Sequence, residues 1–212
     1  MTAAVRRIST GLCLLWLTVY AVGSVRTTIA ADSAKPRTDK IKFHDHDGKT
    51  VLSLKIKEDG AKLVDGDEKE LARFTISQDK LKIKDADDKP VAVIVLLADR
   101  LKLESESHGI ICQLRRQADG DWKMENAEKE HVATIKKHGE GVEIEDHLKQ
   151  RAFKVKIKSG KTSLVDASEK TVYSTKEEVT PAAMGCLGVE TVSDLRLRFA
   201  LLYAMDHARP KS

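Results

Sequence analysis

Three stretches decide how this chain folds: IKFHDHDGKTVLSL at residues 41–54, AKLVDGDEKELARF at 61–74 and LKIKDADDKPVAVI at 81–94. They align without gaps at a spacing of 20 residues. Further units begin at Leu101, Trp122, Val142 and Thr162, with one 21-residue step before Trp122. A fixed period of this size marks an architecture built from one repeated supersecondary unit. Within a unit the first and third positions are apolar, as in Ile41/Phe43, Leu81/Ile83, Leu101/Leu103, Trp122/Met124 and Val142/Ile144. Lys42, Lys62, Lys82, Lys102 and Lys123 stand between them. Alternation with a period of two sends successive side chains to opposite faces, which is the pattern of a half-buried strand.

The fifth position holds Asp45, Asp65, Asp85, Ser105, Asn126, Asp146 and Asp166. These side chains bond their own backbone and start turns. A second strand follows, with apolar or small residues at the twelfth, fourteenth and often the sixteenth position, as in Leu52/Leu54/Ile56, Ala72/Phe74/Ile76 and Phe153/Val155/Ile157. Between units lie Asp59-Gly60, Asp79-Lys80, Asp119-Gly120, Gly139-Glu140-Gly141 and Ser159-Gly160, residues suited to tight hairpin turns. Each unit is therefore predicted to be a β-hairpin. Seven of them make an up-and-down antiparallel meander of about 12–14 short strands. Open sheets beyond ~10 strands curl, split or close. Closure also removes exposed edges, so a mainly β barrel is expected.

The repeat stops at Pro181. After it, a helix is expected over about residues 192–208, with Ser193 as its N-cap and Pro210 limiting its end. Val192, Leu195, Phe199 and Leu202 fall at helical spacing, while Leu197, Leu201, Tyr203 and Met205 make the other faces apolar too. A helix apolar nearly all round is a buried helix. About 15 residues reach roughly 22 Å, short of the ~30 Å of a bilayer core, and Arg198 sits in their midst. A wide barrel needs a filling, and this segment supplies it.

The 212 residues are 41% hydrophobic, 33% charged and 4% aromatic, which fits one soluble globular domain, or at most two, and excludes a disordered chain. The formal charge of +4 is set largely by the first 31 residues, which carry Arg6, Arg7 and Arg26 and no acid. The remainder holds 34 basic and 33 acidic residues. A body so nearly neutral offers no bulk attraction for nucleic acid or for an anionic membrane. Residues 1–31 read as a secretory signal, with arginines first, the apolar run LCLLWLTVYAV at 12–22, and small residues around Ala30 and Ala31. Kept uncleaved, the same segment is an N-terminal anchor. Either way the body, behind a linker at 32–40, is expected to be exported: periplasmic, secreted or associated with the cell envelope.

Consecutive antiparallel hairpins followed by one hydrophobic C-terminal helix resemble the tubby-like superfamily, which includes tubby C-terminal domains, phospholipid scramblases and plant LURP-one-related proteins. The resemblance covers about residues 41–208 and is most specific at RLRFALLYAMD, residues 196–206. It implies a barrel threaded by that helix, and a ligand among membrane lipid headgroups. The basic surface site of tubby domains matches no residue here, so the activity does not carry over. Seven hairpins exceed the roughly twelve strands usual in that group. The least apolar unit, TSLVDASEKTVYST at 162–175, is accordingly expected to be irregular or outside the barrel.

Candidate chemistry is sparse. His44 and His46, with Asp45 and Asp47, share one turn and offer Zn, Cu or Ni ligands. The alignment weighs against this, because His44 takes the place of Val64, Lys84 and Glu104, and His46 that of Gly66, Ala86 and Ala127. The pairs Asp45/Asp47, Asp65/Asp67 and Asp85/Asp87 lack the loop and closing Glu of an EF-hand. Cys112 aligns with Ala72, Ala92 and Ala133, as a small inward residue would. Paired with Cys186 in an oxidising compartment, it would pin the segment before the helix to the barrel, worth ~4 kcal/mol. No G-x-S-x-G, H-E-x-x-H, C-x-x-C, P-loop or G-x-G-x-x-G is present, and nothing calls for a cofactor. The expected role is thus non-catalytic: an exported binding or structural protein whose partner is a lipid headgroup or another envelope protein. The alternatives are a metal-binding envelope protein using the His44/His46 turn and an unrecognised hydrolase.

Overall fold

The computed structural model describes residues 39–208. The expected signal or anchor at 1–31 and most of the expected linker at 32–40 lie outside the described residues. The seven units become fourteen strands. They are β1 (Lys40–His44), β2 (Thr50–Lys57), β3 (Gly60–Asp65), β4 (Glu70–Ser77), β5 (Lys80–Asp85), β6 (Pro90–Leu96) and β7 (Arg100–Ser105). There follow β8 (Ile110–Arg116), β9 (Trp122–Asn126), β10 (His131–His138), β11 (Gly141–Asp146), β12 (Arg151–Lys158), β13 (Lys161–Asp166) and β14 (Thr171–Thr175). Each pairs antiparallel with the next, and β14 returns to β1 at Ser174 opposite His44, which closes the barrel. All seven hairpins take part, so the expectation that 162–175 is irregular or stands outside is corrected. Val155↔Leu164 and Leu164↔Tyr173 put the last hairpin in ordinary register, and Leu164 is fully buried.

One turn, repeated, builds the wall. In every unit the fifth residue accepts a backbone bond from the eighth and donates one to the ninth: Gly48 N–H to Asp45 O at 3.2 Å and Asp45 N–H to Lys49 O at 3.0 Å in the first. Asp45 Oδ1 also accepts from the N–H groups of Asp47 and Lys49, at 3.0 and 2.9 Å. Asp65, Asp85, Asp146 and Asp166 do the same. The eighth residue is left-handed throughout, with φ of 81° at Gly48, 65° at Glu68 and 64° at Asp88. A tight turn followed by a left-handed residue forces a bulge into the next strand. Val51, Leu71, Val91, Ile111, Val132, Ala152 and Val172 are the extra residues where the register shifts. This is why two apolar residues stand together at Val51-Leu52, Val91-Ala92 and Ile111-Cys112. The bulged one packs half-buried on the edge of the core while its neighbour points in.

After β14 the chain turns into the barrel. Thr180 caps the short helix α1 (Pro181–Gly185), accepting from Ala183 N–H at 3.4 Å, and a 3-10 turn follows at Cys186–Gly188. The second helix, α2 (Leu195–Asp206), runs back, so that Thr180 N–H donates to Asp206 Oδ1 at 3.0 Å. The filling is thus a helical hairpin rather than one helix. Its expected span of 192–208 shortens by a few residues, and its N-cap is Asp194, not Ser193. Asp194 holds the extended backbone, and its Oδ1 accepts from Arg196 N–H at 2.9 Å. α1 packs on β10 to β13 and α2 on β3 to β7. Gly185 permits the first contact, since a Cβ there would stand 2.9 Å from Ile135 Cγ2. Phe199 meets Phe43 edge-on at 4.9 Å and Tyr173 at 6.2 Å, while Tyr203 lies 6.1 Å from Phe74. The core side chains, from Ile41 to Ala204, pack on one another within the compact unit Pro36–Ser212.

Candidate functional site

The histidine turn is an ordinary member of its series. His44 Nδ1 lies 3.2 Å from Thr50 Oγ1, and His46 Nε2 lies 3.2 Å from Asp47 Oδ2. Asp45 is occupied by the two amides that define the turn. The four side chains do not converge on a point. Among the described residues no group of three or more His, Cys, Asp or Glu is arranged to hold a metal. Asp65 and Asp85 sit in the same bonding pattern, so turn chemistry accounts for the acidic residues at this position in full.

Cys112 points inward from β8, opposite Leu103, and burial pushes its thiol up to about 12. It is therefore an unreactive small core group. Cys186 opens the 3-10 turn, where its Sγ donates to Ala182 O at 3.8 Å. Both side chains are buried.

On the outer wall three of the five recurring lysines, Lys62, Lys102 and Lys123, stand in a lattice of short pairs. Lys62 and Arg73 converge on Glu70 at 2.6 and 2.9 Å, Lys102 meets Glu104 at 2.7 Å, and Lys123 meets Glu125 at 3.0 Å. Burial works to raise the Glu70 carboxyl, but the two cations outweigh it and hold it below the usual range. The left-handed residues of some turns reach back to join this lattice. Glu68 binds Lys40 at 2.6 Å and also Lys55, and Glu169 binds Lys156. The wall is a mixed-charge surface, not a basic stripe.

The inside is less uniform at one end. Where the turns between units gather, a recess of about 280 Å³ opens between the β9–β11 wall and α1. Trp122, Ile135 and Val142 form its wall and Pro181 and Ala182 its other side, with Lys137, Glu140 and Thr180 adding polar groups. Lys137 N–H donates to Asp121 Oδ1 at 2.7 Å, which ties the end of β10 to the turn beside β9. The sequence reading missed this site, because it forms between the wall and a helix outside the repeat. Its one trace is the sixteenth position, apolar at Ile56, Ile76, Leu96 and Ile157 but Arg116 and Lys137 in the fourth and fifth units.

No protein-family model matches the chain, and no curated protein matches it. Among solved structures it is similar to an X-ray structure of a protein from Arabidopsis thaliana, at 10% sequence identity and a TM-score of 0.41, over 74% of this chain and 92% of that one. The chain is a mainly β protein, a closed up-and-down barrel of 14 antiparallel strands with its C-terminal helices inside.

Proposed function

We propose that this is an exported, non-catalytic binding protein of the cell envelope, built as a tubby-like barrel, whose ligand is a lipid headgroup or another envelope component. The observation that carries the reading is the filled interior. α1 and α2 share the interior, with Phe199, Leu201, Leu202 and Tyr203 of α2 buried, so contacts with large partners fall to the outer wall and the two ends. The enclosing of a C-terminal helix ending in RLRFALLYAMD by consecutive hairpins is the architecture that supports a tubby-like assignment. Export rests on the leader. The wall's alternating lysines and glutamates suit water outside the barrel, whereas a strand barrel that crosses a bilayer turns an apolar band outward.

The test is co-sedimentation of residues 36–212 with liposomes of varied headgroup, with and without EDTA. Headgroup-selective binding that survives EDTA is the expected result. Binding lost in EDTA would point to a bridging metal and reopen the His44–His46 turn. No binding to any liposome would remove lipid from the proposal and leave a protein or glycan of the envelope as the partner.

A further inference from the structure

We infer that the recess beside Trp122 is a binding site for a small single-chain amphiphile with an anionic head, such as a medium-chain carboxylate. Its chain would lie on Trp122, Ile135, Val142 and Ala182, and its head would meet Lys137. This goes beyond the envelope reading and does not rest on it, since the ligand is a dissolved molecule entering the barrel mouth rather than a surface met from outside.

Three observations carry it. The first is the volume. The recess offers about 280 Å³ of mostly apolar-lined space, open to solvent on one side, which is room for a short aliphatic chain. It is also smaller than the ~300–1,000 Å³ of sites that take drug-sized ligands, so the occupant is small. The second is access. Gly120 and Gly139 stand at the rim with φ of 93° and 58°, and a Cβ on either would meet nothing within 4 Å. The entrance is therefore bordered by bare backbone.

The third observation is charge. Lys137 stands where three other units place an apolar residue packed against the core, Ile56, Ile76 and Leu96. Among the described residues its ammonium is in no ion pair, which is also true of Lys42 and Lys82 on the wall, but Lys137 lines the recess and they do not. Arg116, opposite Trp122 across β8 and β9, takes the same sixteenth position in the fourth unit but does not line the recess. Glu140 does line it, from the turn. Asp121 and Asp119, nearby, spend an oxygen each on the backbone N–H of Lys137 and of Asp121. A cation on the strand and an acid on the turn orient a ligand whose head is negative and whose tail points down into the barrel.

Residues 36–212 suit the experiment, because their core is complete within the unit and Trp122 is then the single tryptophan, Trp16 lying in the leader. Decanoate, decanol and decylamine, each below its micelle concentration, would be titrated while the emission of Trp122 is followed. Saturable binding of decanoate is expected, about tenfold tighter than decylamine, with decanol between them. Lys137→Gln should bring decanoate to the level of decanol, and Glu140→Gln should tighten it. Ala182→Leu, which fills the recess from the α1 side, should abolish binding of all three while the melting transition stays cooperative. No saturable response to decanoate, tighter binding of decylamine, or binding indifferent to Ala182→Leu would each overturn the inference. A liposome result of either sign leaves these outcomes unchanged, so this inference and the envelope reading fail separately.

Discussion

The wall and the filling of this barrel are built on opposite principles. The wall spreads its stability over seven copies of one hairpin, each held by the same fifth-residue turn and the same bulge. The filling is unique: one helical hairpin, α1 and α2, whose side chains touch strands from β3 to β7 and from β10 to β13. A defect in the wall is local, since its neighbours keep their own turns. A defect in the filling is felt by every strand that packs on it. The two regions should therefore answer mutation on different scales.

The largest effect is expected from removing residues 193–212, which deletes α2. Phe43, Phe74 and their neighbours would then lose the helix they pack on, and the chain should lose its cooperative melting transition and bind ANS as an expanded state. A truncated chain that still melts sharply would break the comparison at its root. Next comes Phe199→Ala. Phe199 is fully buried between Phe43 and Tyr173, so a loss of about 3–5 kcal/mol is expected in denaturant unfolding. A cost under about 1 kcal/mol would mean that the wall collapses readily onto the gap.

The same contrast explains what could be read from sequence. The wall was legible because repetition multiplies weak signals. One alternation such as Ile41/Phe43 means little, but seven in phase at a period of 20 fix strands, turns and closure. The adjacent pairs Val51-Leu52 and Val91-Ala92 were visible too, yet only the paired register identifies the first member as a bulge. The filling has no second copy to align. Its buried character showed in the all-round apolar face of α2, but PAAMGCLG at 181–188 is too short to signal α1, and its glycines gain meaning only against Ile135 and Phe153. Ser193 and Asp194 are both sound N-caps, and the backbone's extended turn at Asp194 selects between them. The recess joins one region to the other, so neither pattern contained it.

Smaller effects belong to the wall. Asp85→Ala removes the acceptor for the amides of Asp87 and Lys89, each at 2.9 Å, and should cost about 1–2 kcal/mol. Asp65→Ala should cost the same within error, because its bonds of 3.0 and 2.9 Å are equivalent. Unequal costs would show that the copies are not independent. The series also predicts a gain. Ser105 holds its turn by donating to Gly109 O at 3.2 Å, without the paired amide bonds of the aspartates. Ser105→Asp should supply them and raise stability by about 0.5–1 kcal/mol in chemical denaturation.

The smallest effect expected is in the ion-pair lattice, and it carries a sign. Hydrogen bonds from Lys40 and Lys55 hold the Glu68 carboxyl down to about 2, against an ordinary 4.5. A carboxyl depressed in the folded state stabilises fully above its unfolded value, and that stability is lost as the pH falls toward the folded value. Glu68→Gln should therefore lower the melting temperature slightly at neutral pH, the difference from the parent should shrink from about pH 4.5 downward, and near pH 2 the two should coincide. The Glu68 side chain is 52% exposed, so salt screens the pair, and about 1 M NaCl at pH 7 should erase most of the difference. Phe199→Ala should keep its cost in both conditions, because nothing in that contact titrates or is screened. A Glu68 effect that persisted in high salt would mean that the reach from the turn to β1 and β2 acts by packing rather than charge. The wall's copies would then be coupled more tightly than seven independent hairpins.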